Sequence, residues 1–301
     1  MKAFLLAAGF GERLRPLTES MPKPLAPVMN VPALCYALTL LKEAGVTEVV
    51  CNLHHLRECI RDFFRAHNNF GIDLVFSVEE TILGTGGGLM KCRALLDDGP
   101  FFYINSDIIA DIDLASLARD HDRTGARGTM VVAPCAEGGG RVAVRDGAVV
   151  NLRSLLAREE TPRHDFVGAA VFDPEIFDRL SSGVSDIVET GLISIAREGA
   201  LAAFEYGGPW YDIGTPESYR RANIDLAEGG MALLERIHGA TGFKPGAVSS
   251  RAAIGEGVRI IRSVIGEGCR VGKGALVEES VLLPGSSVGP GERAVQCILL
   301  P

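Results

Sequence analysis

Aromatic residues are scarce in this sequence, 6% of the chain with a single tryptophan, although 47% of all residues are hydrophobic. A core with so few rings must be built from aliphatic side chains, which suits the packed layers of an α/β domain. No Cys-x-x-Cys pair occurs among the seven cysteines, Cys35, Cys51, Cys59, Cys92, Cys135, Cys269 and Cys297. Single thiols scattered among apolar neighbours make neither a zinc knuckle nor a redox pair, and they read as reduced packing residues of a cytoplasmic protein. No uncharged apolar run reaches the roughly 18 residues of a membrane span. The first apolar run is also too short for a secretory h-region before glycines interrupt it. Positive charge is in deficit: 30 Lys and Arg against 38 Asp and Glu leave a formal net charge of −8. That balance excludes a general binder of nucleic acid or anionic membrane, and an anionic substrate would have to be held by locally concentrated cations. The six histidines show no metal-ligand spacing, so packed or solvated roles suit each of them.

Two glycine-loop motifs are missing from the one place where they could stand. The apolar run from Lys2 stops at Gly9-Phe10-Gly11, but neither Lys-Ser nor Lys-Thr follows the last glycine, as a P-loop requires. Leu14 occupies the position at which a dinucleotide fingerprint has its third glycine. What remains is Gly-x-Gly followed by Arg13, Arg15 and, ten residues after Arg13, Lys23 between Pro22 and Pro24. A bare turn would use the glycines alone. A triphosphate cradle would use the glycines to bring backbone N–H groups against phosphate oxygens, with Arg13 and Lys23 supplying fixed charge.

Strand-like and helix-like segments alternate after the loop. A helix beginning with Pro32 in its first turn and ending at Gly45 precedes a strand over Val46 to Leu53, a helix over Leu56 to His67 and a strand over Asp73 to Val78. Leu83-Gly84-Thr85-Gly86-Gly87-Gly88 then enters a helix reaching Leu96, and the strand Phe101 to Asn105 ends near Asp107. This alternation predicts a Rossmann-like, doubly wound sheet. Its ligands gather beyond the carboxyl ends of the strands, where the Gly9 loop, the Gly84 turn and Asp107 all fall. From Gly128 onward the pattern turns antiparallel, making the sheet mixed, and the stretch Leu201 to Asp212 returns to it before a closing helix over Pro216 to Glu228. The tail has another period. Ile254 and Ile260, then Ile265, Val271 and Val277, then Leu282 and Val288, step by six with slips of five between sets, and glycines stand beside them. Such hexads describe a short left-handed parallel β-helix of about three coils at roughly 18 residues each. The expected domains are 1–229, a linker over 230–247 and the β-helix over 248–301.

The string from Leu6 to Leu25 resembles the signature of sugar-1-phosphate nucleotidylyltransferases, the NDP-sugar pyrophosphorylases, in which Gly-x-Gly-x-Arg-Leu-x-Pro-Leu-Thr and Pro-Lys-Pro-Leu occur at this spacing. Asp107, and Asp212 in Trp210-Tyr211-Asp212-Ile213-Gly214-Thr215-Pro216, match the family's two Mg²⁺ positions, although Ser106 stands where a glycine usually precedes the first. The resemblance implies an NTP and a sugar 1-phosphate as substrates and Mg²⁺ as cofactor, with Arg13, Lys23 and Asp107 catalytic. It implies nucleotide contacts from Leu6, Ala8, Gly9, Gly11 and Glu12 beside Arg13 and Lys23, and from Gly84 and Thr85 in the base-binding turn. Glu79 falls at the base-reading position. A carboxylate there would accept from guanine, or less fully from uracil or thymine, and would suit adenine least. For the sugar phosphate the resemblance points to Asn105 and Gly168. Arg153 is the basic residue in the region where many members carry Glu-Lys-Pro, and an ordinary solvated arginine is its other reading. The Gly86-Gly87-Gly88 run is shared with N-acetylmuramate-1-phosphate uridylyltransferases, whereas Glu79 and the short β-helix look more like mannose- or heptose-1-phosphate guanylyltransferases.

Two rivals use the same features differently. A catalytically inactive regulatory or assembly subunit would keep the fold and lose Arg13, Lys23, Asp107 or Asp212, yet all four are present. A bifunctional enzyme acylating sugars on its β-helix needs a catalytic histidine there, and no histidine follows His238. The tail is therefore expected to serve homo-oligomer contacts or allostery.

Overall fold

Short apolar runs bounded by turn residues become the strands of a nine-stranded mixed sheet in a computed structural model of the protein, and the structure describes residues 1–135, 140–156 and 160–301. The chain divides into one unit of Met1–Phe10 with Leu40–Trp210 and a second of Gly11–Thr39 with Tyr211–Pro301.

The first unit holds the sheet. Its strands are β1 (Lys2–Leu6), β2 (Glu48–Leu53), β3 (Asp73–Val78), β4 (Phe101–Asn105), β5 (Gly128–Pro134), β6 (Val142–Arg145), β7 (Ala148–Leu152), β8 (His164–Phe172) and β9 (Leu201–Glu205), in the spatial order β3-β2-β1-β4-β8-β5-β9-β7-β6. The first four are parallel, with Leu5 opposite both Cys51 and Ile104, so β1 to β4 all end at one edge. Chain order reverses between β1 and β4, which is where a doubly wound sheet opens a crevice for ligands. β8 runs antiparallel to β4 and β5 and makes the sheet mixed. Phe4, Phe101, Tyr103 and Phe172 are almost wholly buried and pack together with aliphatic neighbours, so the few rings lie at the centre of the core.

Several expected boundaries move. The strand over 201–212 breaks into β9 and a separate short strand Trp210–Asp212, with Gly207, Gly208 and Pro209 interrupting it. Pro32 lies in a two-residue strand paired with Pro27–Val28, and the helix after it covers Leu34–Glu43. The stretch 230–247, expected as a linker, carries the helix Ala232–Thr241, whose Leu233, Ile237 and Thr241 are buried. Those residues are four apart, a helical stripe that the flanking glycines disguise.

In the second unit three faces of three parallel strands each form a β-helix. Its coil is 17 residues, not 18: Ala253 stands over Arg270 and Ser287, Arg259 over Leu276, and Val264 over Val281 and Ile298. Two faces take six residues and the third takes five, and the slips in the sequence fall at that same corner in every coil. Arg262, Glu279 and Gln296, each at positive φ, turn it. Ser263 Oγ accepts from Ser280 N at 3.1 Å and Ser280 Oγ accepts from Cys297 N at 3.1 Å, a ladder that satisfies backbone groups where strand pairing stops. Inside, Ile265, Val271, Val277, Leu282 and Val288 stack in the expected hexad order.

Candidate active site

The second unit holds five of the predicted residues, Gly11, Glu12, Arg13, Lys23 and Asp212. Gly11 takes φ +66°, and a Cβ there would lie 2.9 Å from Thr18 Cγ2. The buried Thr18 donates from Oγ1 to Gly11 O at 2.8 Å, closing the loop that presents Glu12 and Arg13 on a 3₁₀ turn. Lys23 starts a second such turn after Pro22. Asp212 precedes Thr215, which caps the helix Pro216–Gly229 in a reciprocal box with Ser218, and Pro216 supplies the preset φ of the first turn. Asn223 of that helix accepts from Met29 N at 2.9 Å, tying the segment that follows Lys23 to the helix that follows Asp212. The result is an ion trio. Lys23 Nζ lies 3.5 Å from Asp212 Oδ1, and Arg13 Nη2 lies 3.7 Å from Asp212 Oδ2. Arg13 and Asp212 are more than half exposed, whereas the Lys23 side chain is 14% exposed. Gly214 leaves room for the trio, since a Cβ there would lie 2.7 Å from Arg13 Nη2 and 2.8 Å from Asp212 Oδ1.

The first unit holds the remaining predicted residues, several of them at the carboxyl edge of the sheet. Leu6 ends β1, Ala8 is buried, and Gly9 has open space where a Cβ would stand. Ser106 replaces the expected glycine without difficulty: its N–H and its Oγ both donate to Leu6 O, at 3.1 and 2.7 Å, and fix the turn that carries Asp107 beside the end of β1. Burial pushes the Tyr103 phenol far up, and the charges of Asp186 and Asp107 push it further. Asn105 faces Gly168, where φ is +102° at a register shift of β8 and an added Cβ would lie 3.0 Å from Asn105 Nδ2. Asn105 Oδ1 is buried with no hydrogen-bond partner among the described residues, as an acceptor reserved for a ligand would be.

Three expectations need revision. Glu79 is 1% exposed, and its two carboxylate oxygens accept from Asn52 Nδ2 at 2.7 Å and Leu83 N at 2.8 Å, so both are engaged within the protein. Arg153 pairs with Asp186 at 3.3 Å, and Asp186 in turn accepts from Val188 N at 2.8 Å as a helix cap. The glycine run has a second duty as well. Ser185 O accepts from Gly86 N at 2.9 Å and Thr85 Oγ1 accepts from Ile187 N at 2.9 Å, so the turn is clasped by the segment 183–187. Sequence reading missed Asn52, Thr18, Ser185 and Asp186, because only Thr18 belongs to a recognisable string and the others act through distant contacts.

Gly87→Ala tests the clasp. Alanine normally stabilises a helix relative to glycine by roughly 0.5–1 kcal/mol. Here its Cβ would lie 1.8 Å from the backbone oxygen of Gly183, so the segment must move. Overpacking of this kind costs about 1–3 kcal/mol or more, which decides the sign. Denaturant titration should show a lowered midpoint, and a raised one would remove the clasp.

Mg²⁺ is tested by the donor set. Asp107 and Asp212 offer hard carboxylate oxygens of the right kind. Among the described residues no three His, Cys, Asp or Glu side chains gather to hold an ion. Each unit contributes one of these carboxylates, which alone suits only an ion that brings phosphate and water ligands with it.

A family profile described as Nucleotidyl transferase matches residues 2–229, and one described as GlmU-like, C-terminal hexapeptide matches residues 235–300, in keeping with a Rossmann-like domain followed by a left-handed β-helix. The chain is 34% identical over 231 residues to a mannose-1-phosphate guanyltransferase of Schizosaccharomyces pombe, covering 73% of this chain and 62% of that protein. It is 33% identical over 225 residues to mannose-1-phosphate guanyltransferase beta-A of Xenopus laevis, with the same coverage. The chain thus spans less than two thirds of the length of these relatives. Among solved structures, a Bacillus anthracis protein assigned as a glucose-1-phosphate thymidylyltransferase, crystallised with sucrose, shares the fold with a TM-score of 0.66 at 21% identity, over 74% of this chain and 94% of that one. No helix among the described residues is long and apolar enough to cross a membrane.

Proposed function

Because the chain belongs to the nucleotidyl transferase family, we propose that it transfers a nucleotidyl group from an NTP to a sugar 1-phosphate, releasing pyrophosphate. An oxygen of the sugar phosphate attacks the α-phosphorus in line, the bond to the bridging oxygen breaks, and pyrophosphate carries away the electron pair. The nucleophile is already an anion, so little general-base work is required. The task is to hold two mutually repelling polyanions in register and to neutralise the departing charge. Arg13 takes the departing β- and γ-phosphates, and Lys23 the region of the α-phosphate. Asp107 and Asp212 would hold Mg²⁺, which when bound neutralises phosphate charge. Asn105 and Gly168 line the sugar phosphate.

The observation that carries this reading is the ion trio. Lys23 and Arg13, from the signature string, converge on Asp212 from the far end of the matched region. Two cations within 4 Å of one carboxylate, with Arg13 open to solvent, support a polyanion as the ligand. An inactive regulatory subunit gains no support, since none of the four polar residues has been replaced.

The relatives' names make GTP with mannose 1-phosphate the first pair to assay. The decisive experiment is a matrix of four NTPs against glucose, mannose, N-acetylglucosamine, N-acetylmuramate and heptose 1-phosphates in Mg²⁺, scored by pyrophosphate release. One pair should exceed the others, and silence across the matrix would sink the proposal.

A further inference from the structure

A continuous buried line of hydrogen bonds joins two loops of the first unit. Ala7 N donates to Asn52 Oδ1 at 2.8 Å, Asn52 Nδ2 donates to Glu79 Oε1 at 2.7 Å, and Leu83 N donates to Glu79 Oε2 at 2.8 Å. Asn52 is 0% exposed and Glu79 1%. The direction of every bond is fixed by the backbone at either end. Both Ala7 and Leu83 offer N–H groups, so the Asn52 carbonyl must face Ala7, its NH₂ must face Glu79, and position 79 must accept at both oxygens. His54 fastens the same residue from behind, its Nδ1 donating to Glu79 O at 2.8 Å because a carbonyl can only accept. Nothing larger than glycine fits over the bridge: a Cβ on Gly88 would lie 2.6 Å from Glu79 Oε1 and 2.8 Å from Asn52 Nδ2.

A buried carboxylate with a neutral partner is an expensive way to fill space. It becomes intelligible if two donors on separate loops must be held at a set separation. We propose that Asn52 and Glu79 are positioning residues, a strut that fixes the phosphate loop leaving β1 at Ala7 against the base turn entered at Leu83, so that one NTP can engage both. This rests on the nucleotidyl-transfer reading above. It replaces a base-reading Glu79 with one that never touches the base.

The polarity of the strut can be reversed. In Glu79→Gln one of the two donors faces an amide NH₂, and in Asn52→Asp two carboxylates face each other. In the double variant, Asp at 52 accepts from Ala7 N and from the Gln NH₂ at 79, while the Gln carbonyl accepts from Leu83 N, so every bond is restored. The four proteins are compared at a temperature at which circular dichroism shows all of them folded. Each single variant should raise the KM for NTP and lower kcat/KM on the order of 10- to 100-fold, the scale expected for misplacement away from the chemistry. The double variant should recover to within a few-fold, with the ranking of the four NTPs unchanged throughout. Hydrogen exchange at the Ala7 and Leu83 amides should be fast in the singles and slow in the wild type and the double.

A changed NTP ranking in Glu79→Gln, or failure of the double variant to recover, would restore the base-reading role and overturn the strut. Unchanged KM in all variants, with only thermal stability lost, would reduce it to a packing feature. Absence of turnover in the wild type would overturn the transfer reading and with it the positioning role. The exchange data would still report whether the bridge exists, which keeps the two failures apart.

Discussion

Arg13→Ala should lower the rate of pyrophosphate release by about 10²- to 10³-fold, the usual loss when one preorganised transition-state donor is removed. The fold should be untouched. The Arg13 side chain is 68% exposed, and its ion pair with Asp212 spans 3.7 Å. The loop that carries it is held by other groups: Leu14 is fully buried, Leu14 N donates to Gly11 O at 2.9 Å, and Thr18 closes onto Gly11. Exposed pairs of this kind are worth at most about 1 kcal/mol, so the denaturation midpoint should hardly move. Arg13→Lys makes the comparison sharper, because a lysine restores a point charge without the planar fork that meets two phosphate oxygens at once. Activity intermediate between wild type and alanine is expected. Wild-type pyrophosphate release by Arg13→Ala would take Arg13 out of the mechanism.

What could be read in advance follows the range of the forces involved. The hexads of the tail depend on neighbours six residues away, so both the β-helix and its five-residue slips are visible in the chain, and counting the slips gives the 17-residue coil in place of 18. The signature from Leu6 to Leu25 is also local, and the two cations it names, Arg13 and Lys23, lie beside one carboxylate, Asp212. Glu79 is the opposite case. Spacing places it five residues before Gly84, but nothing local reveals that Asn52 lies beneath it to claim one oxygen. The triple glycine was half understood. Gly86 and Gly87 must also admit the backbone of Gly183 to Ile187, some hundred residues later, and Gly88 must admit the strut. Close approach between distant segments leaves no period to detect, and it is there that side chains such as Ser185 and Asp186 acquire their roles.

Asp212→Asn should separate two roles that coincide in one residue. Turnover in Mg²⁺ should fall by at least about 10³-fold, because a ligand worth several kcal/mol of charge stabilisation is lost. Asp107→Asn should abolish Mg²⁺-dependent turnover too, with the fold intact. Binding of pyrophosphate to the metal-free Asp212→Asn protein should nevertheless become tighter. In the ligand-free protein the Asp212 carboxylate lies 3.5 Å from Lys23 and 3.7 Å from Arg13, so it competes with any polyanion for the same two cations. Partly exposed pairs contribute roughly 0.2–1 kcal/mol each. Removing both should therefore strengthen pyrophosphate binding by about two- to thirtyfold. Isothermal titration with EDTA present reads this directly, and the gain should shrink as salt screens the cations. Equal or weaker binding would mean that Lys23 and Arg13 do not meet phosphate at all. The change thus bears on the cation assignment independently of turnover: the Asp212 charge itself repels pyrophosphate, and its pairing with the phosphate-binding cations adds to that opposition.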